Sequence, residues 1–353
     1  MSYSSLHPYD GETFTGFFVQ LFGRMVQLLQ GKLSLTDLAT DEIQLLVLST
    51  MAASAGLIGT FLVLKKMTML ANSLSHTILL GIVLAYVWMP TASLNETGPP
   101  IHVTSMLAAS LITGLFTAYL TDFLTRVVKL QEDASIGLVF SSLFALGILL
   151  VTLLTRSAHI GIEAVMGDVD ALQLEDCKLV LVVLGLNILI TLLFFKELQA
   201  TAFAPAFAAS LGLSIPFFNY LLMTQTAATV VSGFRAVGVL MVLTFIVGPP
   251  LTARLLTHHL RSMVVLSCFL GIFSSFIGVA LSRHLLSVYE MPLSTSGLVV
   301  CVMTLLFVLV LLFSTLRTCL HTSKGSYPFQ DDPPSNISSA SSSPNSSASL
   351  NMF

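Results

Sequence analysis

His76 and Asn72 stand four residues apart in an apolar stretch, Met67–Trp88, that begins just after Lys65-Lys66. In a helix this spacing puts both side chains on one face. Imidazole is a common ligand for divalent transition metals, and an asparagine carbonyl adds a weaker, neutral oxygen. Two such groups do not close a metal cage, so the pair suits a transient contact on a pathway and not a storage site. A histidine hydrogen-bonded to a neighbouring helix accounts for the same residue, and the two readings stand side by side. Polar groups inside a spanning segment nevertheless need a reason, because lipid offers them no partner.

Three further segments have chemical character. In Val128–Gly137 the run Gln131-Glu132-Asp133-Ala134-Ser135 opens a helix, and its acids suit the free amides and positive end of a helix N-terminus. Phe203–Leu213 is apolar, too short to span, and broken by Pro205 and Gly212, which predicts a short helix ending at Gly212. Exposing Phe203, Phe207 and Leu211 between two spans, it has the character of a docking helix that needs an apolar groove on a partner, or of a linker lying on lipid headgroups. Gly248-Pro249-Pro250 removes two backbone donors, which breaks or kinks a helix at a gate or binding site, or simply ends it.

Composition sets the frame that must position these groups. The chain has 353 residues, 55% hydrophobic and only 9% charged, with several runs long enough to cross a bilayer, for which ~20 residues are needed. It reads as an all-α polytopic membrane protein of eight or nine transmembrane helices. The candidate spans are 42–64, 72–88, 103–124, 135–155, 179–195, 217–232, 236–256, 262–281 and 293–316. Ala52, Ala55, Gly56 and Gly59 in the first would let another helix approach closely. The joint Gly233-Phe234-Arg235 is so short that one of its flanking segments is either spanning or re-entrant. Residues 1–41 form an N-terminal segment in which Phe14, Phe17, Phe18, Leu21, Phe22, Met25, Val26 and Leu29 recur at helical spacing, an amphipathic helix on the membrane surface. Residues 42–317 make the transmembrane permease domain, and 318–353 a disordered Ser/Asn/Pro-rich cytoplasmic tail.

If every candidate spans, nine Lys and Arg residues, among them Lys65, Arg126, Lys196 and Arg254, fall on one side and six, among them Arg24, Arg156 and Arg283, on the other. The richer side is the cytoplasmic one. The net charge of −3 is small and scattered, which gives no footprint for nucleic acid. The four cysteines have neither metal nor redox spacing. No phosphate loop ending in Gly-Lys-Ser/Thr occurs, so the chain is a transport subunit without an ATPase site of its own and without a cofactor.

In order and spacing, Lys65–His76, then Glu132–Gly137, then Phe203–Leu213, then Phe234–Leu240 running into Pro249–Arg254, resemble the permease subunits of ATP-binding-cassette importers for manganese, zinc and iron. The resemblance covers roughly residues 42–316. It implies a multi-pass protein of the bacterial plasma (inner) membrane that moves a divalent metal ion into the cytoplasm. The implied partners are cytoplasmic ATP-binding subunits that use the ATP, an extracytoplasmic metal-binding lipoprotein, and a second permease subunit. It also implies that Phe203, Phe207, Leu211 and Gly212 belong to the ATPase-coupling helix and that His76 is a pathway residue. The family pattern usually has Gly-Asp where this chain has Ala71-Asn72, which points to a non-identical second permease that carries the aspartate. The reading from another class is an ATPase-independent secondary transporter or channel, against which the absence of carboxylates well inside the spans argues. A purely structural membrane subunit is the third.

Overall fold

A bilayer offers no water to backbone N–H and C=O groups, so a chain this apolar must satisfy them inside helices. The computed structural model describes residues 14–30, 39–88, 103–155, 169, 172, 174–291 and 293–323. Among them are twelve α-helices: α1 (Phe14–Leu29), α2 (Thr40–Leu64), α3 (Thr68–Trp88), α4 (Val103–Arg126), α5 (Glu132–Thr155), α6 (Leu174–Leu193), α7 (Phe195–Phe203), α8 (Pro205–Ser210), α9 (Ile215–Val237), α10 (Val239–Leu256), α11 (Leu260–Tyr289) and α12 (Thr295–Ser323). Eight of these, α2 to α6 and α10 to α12, are long and apolar enough to cross a membrane. The chain divides into two units, Met1–Ser314 and Thr315–Phe353. In the second, α12 continues to Ser323, six residues into the predicted tail. Residues 324–353 of that tail lie outside the described residues, as do 1–13 and 31–38 of the N-terminal segment.

The helix α2 is the centre of the fold, with Leu48, Met51, Ile58, Phe61 and Leu62 all fully buried. Its small residues do what their size predicts. Gly56 lies against Ser267 and Cys268 of α11, whose Ser267 hydroxyl donates to the Gly56 carbonyl at 3.2 Å. Gly59 lies against the Ile246 carbonyl of α10 so closely that a Cβ would sit 2.0 Å from its oxygen. From the other side Gly271 of α11 receives Ala52. Backbones that approach at glycine gain dispersion contacts where hydrophobic driving force is absent.

A second set of contacts holds α6 and α9 to the same helix. The buried Asn187 amide of α6 donates to Ser54 Oγ of α2 at 2.8 Å and to Thr229 Oγ1 of α9 at 2.7 Å. Helix α9 covers the candidate span 217–232, and it is not among the eight because Asn219, Thr224, Gln225 and Thr226 lower its hydropathy. The joint between α9 and α10 also differs from expectation. It falls at Gly238, not at 233–235. Gly233 lies inside α9, where the Met51 side chain occupies the space a Cβ would take, whereas Gly238 takes φ +84°, open to glycine without strain.

The amphipathic α1 is apolar on two sides. Phe17 is buried, with Phe14, Phe18 and Leu21 packed beside it, while Val19, Phe22 and Met25 are exposed. Arg24 pairs with Glu42, and Arg283 of α11 with Asp41, so one end of α2 is tied to both α1 and α11. At the opposite end Tyr220 of α9 donates to Asp122 of α4 at 2.6 Å, and Arg126 donates to the other oxygen of that carboxylate at 2.6 Å. The basic-residue count assigns this second end to the cytoplasm.

Candidate functional site

Three helices fix the surroundings of His76. Helix α3 turns Leu74, Thr77 and Gly81 toward α4 and α9: Thr117 donates to Thr77 Oγ1 at 3.1 Å, Gly114 sits between Leu74 and Ala227, and Gly81 lies against the Ser110 backbone. The neighbouring face of α3 meets α5, with Leu80 against Gly147. His76 lies on that α5-facing side, and Asn72, one turn before it, at its exposed edge. Asn72 is exposed and His76 half-buried, so the expected shared face is present. The Asn72 backbone carbonyl accepts from the Ser75 hydroxyl at 2.7 Å, which ties the polar cluster into its own helix.

The immediate neighbours of the imidazole are aromatic. Its ring centroid lies 5.3 Å from that of Phe140 and 5.4 Å from that of Phe144, both on α5, and these two phenyls stack on each other at 5.7 Å with planes 16° apart. Such separations are contact distances for aromatic pairs. Asp133, Gly137, Phe140 and Phe144 follow at spacings that share one face of α5. Asp133, in the first turn, is exposed. Among the described residues no group of three or more His, Cys, Asp and Glu stands together to hold a metal ion. Among the described residues the imidazole and amide therefore stand without the further His, Cys, Asp or Glu ligands that a closed metal site needs.

The remaining predicted residues lie apart from this edge. Phe203 closes α7, Ala204 interrupts the helix, and α8 begins at Pro205 and ends at Ser210, with Gly212 beyond it at φ +77°. The predicted termination at Gly212 is thus seen, since only a residue without Cβ turns there freely. Phe203, Phe207 and Leu211 are 55%, 61% and 61% exposed. Underneath, Leu198 packs with Phe61 of α2 and with Phe218 and Leu222 of α9, which holds α7 to the bundle.

Pro249 and Pro250 do not end their helix. Helix α10 runs through both to Leu256, and both are buried. A proline at position 250 leaves the Ile246 carbonyl without its N–H partner, and it is this oxygen that faces Gly59 of α2. The close approach shields the freed carbonyl from lipid, so the expected break is absorbed by packing.

A model of the ABC 3 transport family matches residues 42–314. The chain belongs to the ABC 3 transport family. A probable metal transport system membrane protein of Chlamydia muridarum is 40% identical over 306 residues, 87% of this chain and 94% of that one. The manganese transport system membrane protein MntD of Bacillus subtilis is 35% identical over 238 residues, 64% of this chain and 77% of that one. Among solved structures, PsaBC from Streptococcus pneumoniae in complex with Fab is similar with a TM-score of 0.62 and 24% identity, over 76% of this chain and 89% of that chain. That likeness concerns the fold. As an ABC 3 family member the chain is a multi-pass permease of a bacterial inner membrane and not an enzyme, with ATP hydrolysis in a separate subunit. Helix α1 lies before the residues matched by the family model.

Several residues at these sites were invisible in the sequence. Phe140 and Phe144 gave only an i,i+4 aromatic spacing, which is common on any spanning helix. Asn187 gave a lone amide in an apolar run, a signal that it needs a partner but not which one.

Proposed function

We propose that this chain is the permease subunit of an ATP-binding-cassette importer that carries a divalent transition metal ion, manganese, zinc or iron, into the cytoplasm. The observation that supports it is the breadth of the match to proteins named for metal transport, nearly end to end in the Chlamydia muridarum case and extending to the Bacillus subtilis protein named for manganese and a Haemophilus influenzae protein named for iron. On this reading the ion is cargo. His76 lends it a lone pair and Asn72 a carbonyl oxygen as it passes.

The three exposed apolar side chains Phe203, Phe207 and Leu211 form the surface that docks on an ATP-binding subunit, and Pro249-Pro250 marks the segment of α10 that flexes between states. An extracytoplasmic metal-binding lipoprotein delivers the ion. A dication stripped of water needs negative charge nearby, which Asn72 and His76 do not supply, so the second permease is a different chain with aspartate at the position matching Asn72. Uptake of manganese, zinc and iron into vesicles that hold both permeases, the ATPase and the binding protein tests the reading. His76→Ala should abolish or greatly slow uptake while the complex still assembles. Unchanged uptake would return His76 to an ordinary interhelical role.

A further inference from the structure

We propose that α1 lies flat in the outer interface of the membrane and buries Val19, Phe22 and Val26 among the acyl chains just below the lipid headgroups. Contacts at one end of the bundle set its depth. Arg283 of α11 pairs with Asp41 in the first turn of α2, so these two residues share a level. Next to Arg283, the Ser282 hydroxyl meets that of Thr295, the first residue of α12, at 3.0 Å. Charged side chains avoid hydrocarbon, so this level marks the boundary of the bilayer core, on the side that the basic-residue count places outside. Helix α1 touches the level twice. Its Phe14 ring lies 6.5 Å from that of His284, the neighbour of Arg283, and its Arg24 pairs with Glu42, the neighbour of Asp41. The helix between Phe14 and Arg24, about 15 Å of it, therefore joins two points of similar depth and runs along the surface. Its 16 residues, ~24 Å, would in any case fall short of a ~30 Å hydrocarbon core.

The sides of α1 divide into three sectors, each repeating at i, i+3 and i+7. Phe14, Phe17 and Leu21, with Phe18, pack on the bundle. Gln20, Gly23 and Gln27 form a polar sector, in which a Cβ on Gly23 would meet nothing within 4 Å. Val19, Phe22 and Val26 form the third sector, which carries no charge, and Val19 and Phe22 are 73% and 72% exposed. A helix lying on a bilayer against a protein wall meets protein on one side, water above and acyl chains below, and α1 has one sector for each. An exposed apolar sector at the level where the hydrocarbon begins has lipid as its nearest apolar medium.

The chain has one tryptophan, Trp88, so Trp88→Phe supplies a background for a single fluorescent reporter. In the full chain reconstituted in phosphatidylcholine vesicles, Trp88→Phe/Phe22→Trp should lose most of its emission to lipid brominated near the top of its acyl chains and little to iodide present on both sides. Trp88→Phe/Gln27→Trp should show the reverse order. Quenching of the Phe22→Trp reporter by iodide and not by brominated lipid would leave that sector in water, open to an extracytoplasmic protein, and overturns the proposal. Stronger quenching by lipid brominated near the chain ends would place α1 within the bilayer and overturns it too. For the leaflet, Gln27→Cys in a variant without native cysteines should react with an impermeant thiol reagent while the plasma membrane is intact. Reaction only after the cytoplasmic face is opened, or in neither state, overturns the assignment to the outer face.

Discussion

Lys65 Nζ donates a 2.8 Å hydrogen bond to Asn219 Oδ1, which joins the residue that follows α2 to the first turns of α9. Burial pushes the Lys65 ammonium down from 10.5 to about 8. Between those values the unfolded chain holds a proton at Lys65 that the folded chain has released, so stability due to this residue rises with pH through the window. Below about 8 the folded state carries the buried charge and its full cost. Relative to wild type, Lys65→Met should therefore be most favourable below that value and should lose this advantage as pH climbs to about 10.5. Paired melting curves across the window check it. A difference that does not vary with pH would show that the burial is not felt.

The Gly59 contact makes a sharp contrast within one fold. Gly59→Ala sets a methyl 2.0 Å from the Ile246 oxygen, a backbone atom that cannot swing aside, and overpacking of this kind costs ~1–3 kcal/mol or more. Gly185→Ala on α6 meets nothing within 4 Å and should be neutral or slightly stabilising, since alanine is the better helix former by ~1 kcal/mol. Thermal stability in detergent ranks the two. Equal effects would mean that α2 and α10 can separate freely.

At the exposed α7–α8 surface, Phe207→Asp places a charge in what is proposed to become an apolar contact, at a cost of several kcal/mol unless it is paired. Co-purification with the ATPase should fall and coupled hydrolysis with it. Wild-type yield and wild-type coupling would remove Phe207 from the docking surface.

The same surface reports the orientation in the membrane. In a variant without native cysteines, Ser210→Cys should react with an impermeant thiol reagent only after the cytoplasmic face is opened. Labelling from outside intact cells would invert the topology derived from the basic residues.

Asn72→Asp restores a negative charge beside His76, on an edge with room for it because Asn72 is exposed. Import should persist, with tighter binding of the ion and slower release. Single-turnover release from the assembled complex measures this, and an unaltered rate would place Asn72 off the path.

Much of this arrangement can be read from local rules. The spans follow from length and apolarity, the small residues of α2 announce close neighbours, and Pro205 with Gly212 brackets a short helix whatever surrounds it. What escapes is decided by packing between distant segments. No local rule brings Phe140 to His76, because that contact depends on the register of α5 against α3, fixed in part by Leu80 against Gly147. Likewise the sequence places the joint at 233–235, whereas the chain turns at Gly238, where φ is +84°. The two prolines read as a break because the Gly59 backbone that covers the freed carbonyl comes from another helix.

The single-residue joint at Gly238 bears on how the protein enters its membrane. Only Gly238 separates α9 from α10, and Ala236, Val237 and Val239 around it are buried, so this connection never emerges as a loop that water could solvate. Helix α9, with Asn219, Gln225 and its threonines, is a poor candidate to leave the translocon for lipid alone. The more apolar α10, joined to it through one residue, is expected to enter the membrane together with it. In the folded chain the Asn187 amide then joins Thr229 of this pair to Ser54 of α2.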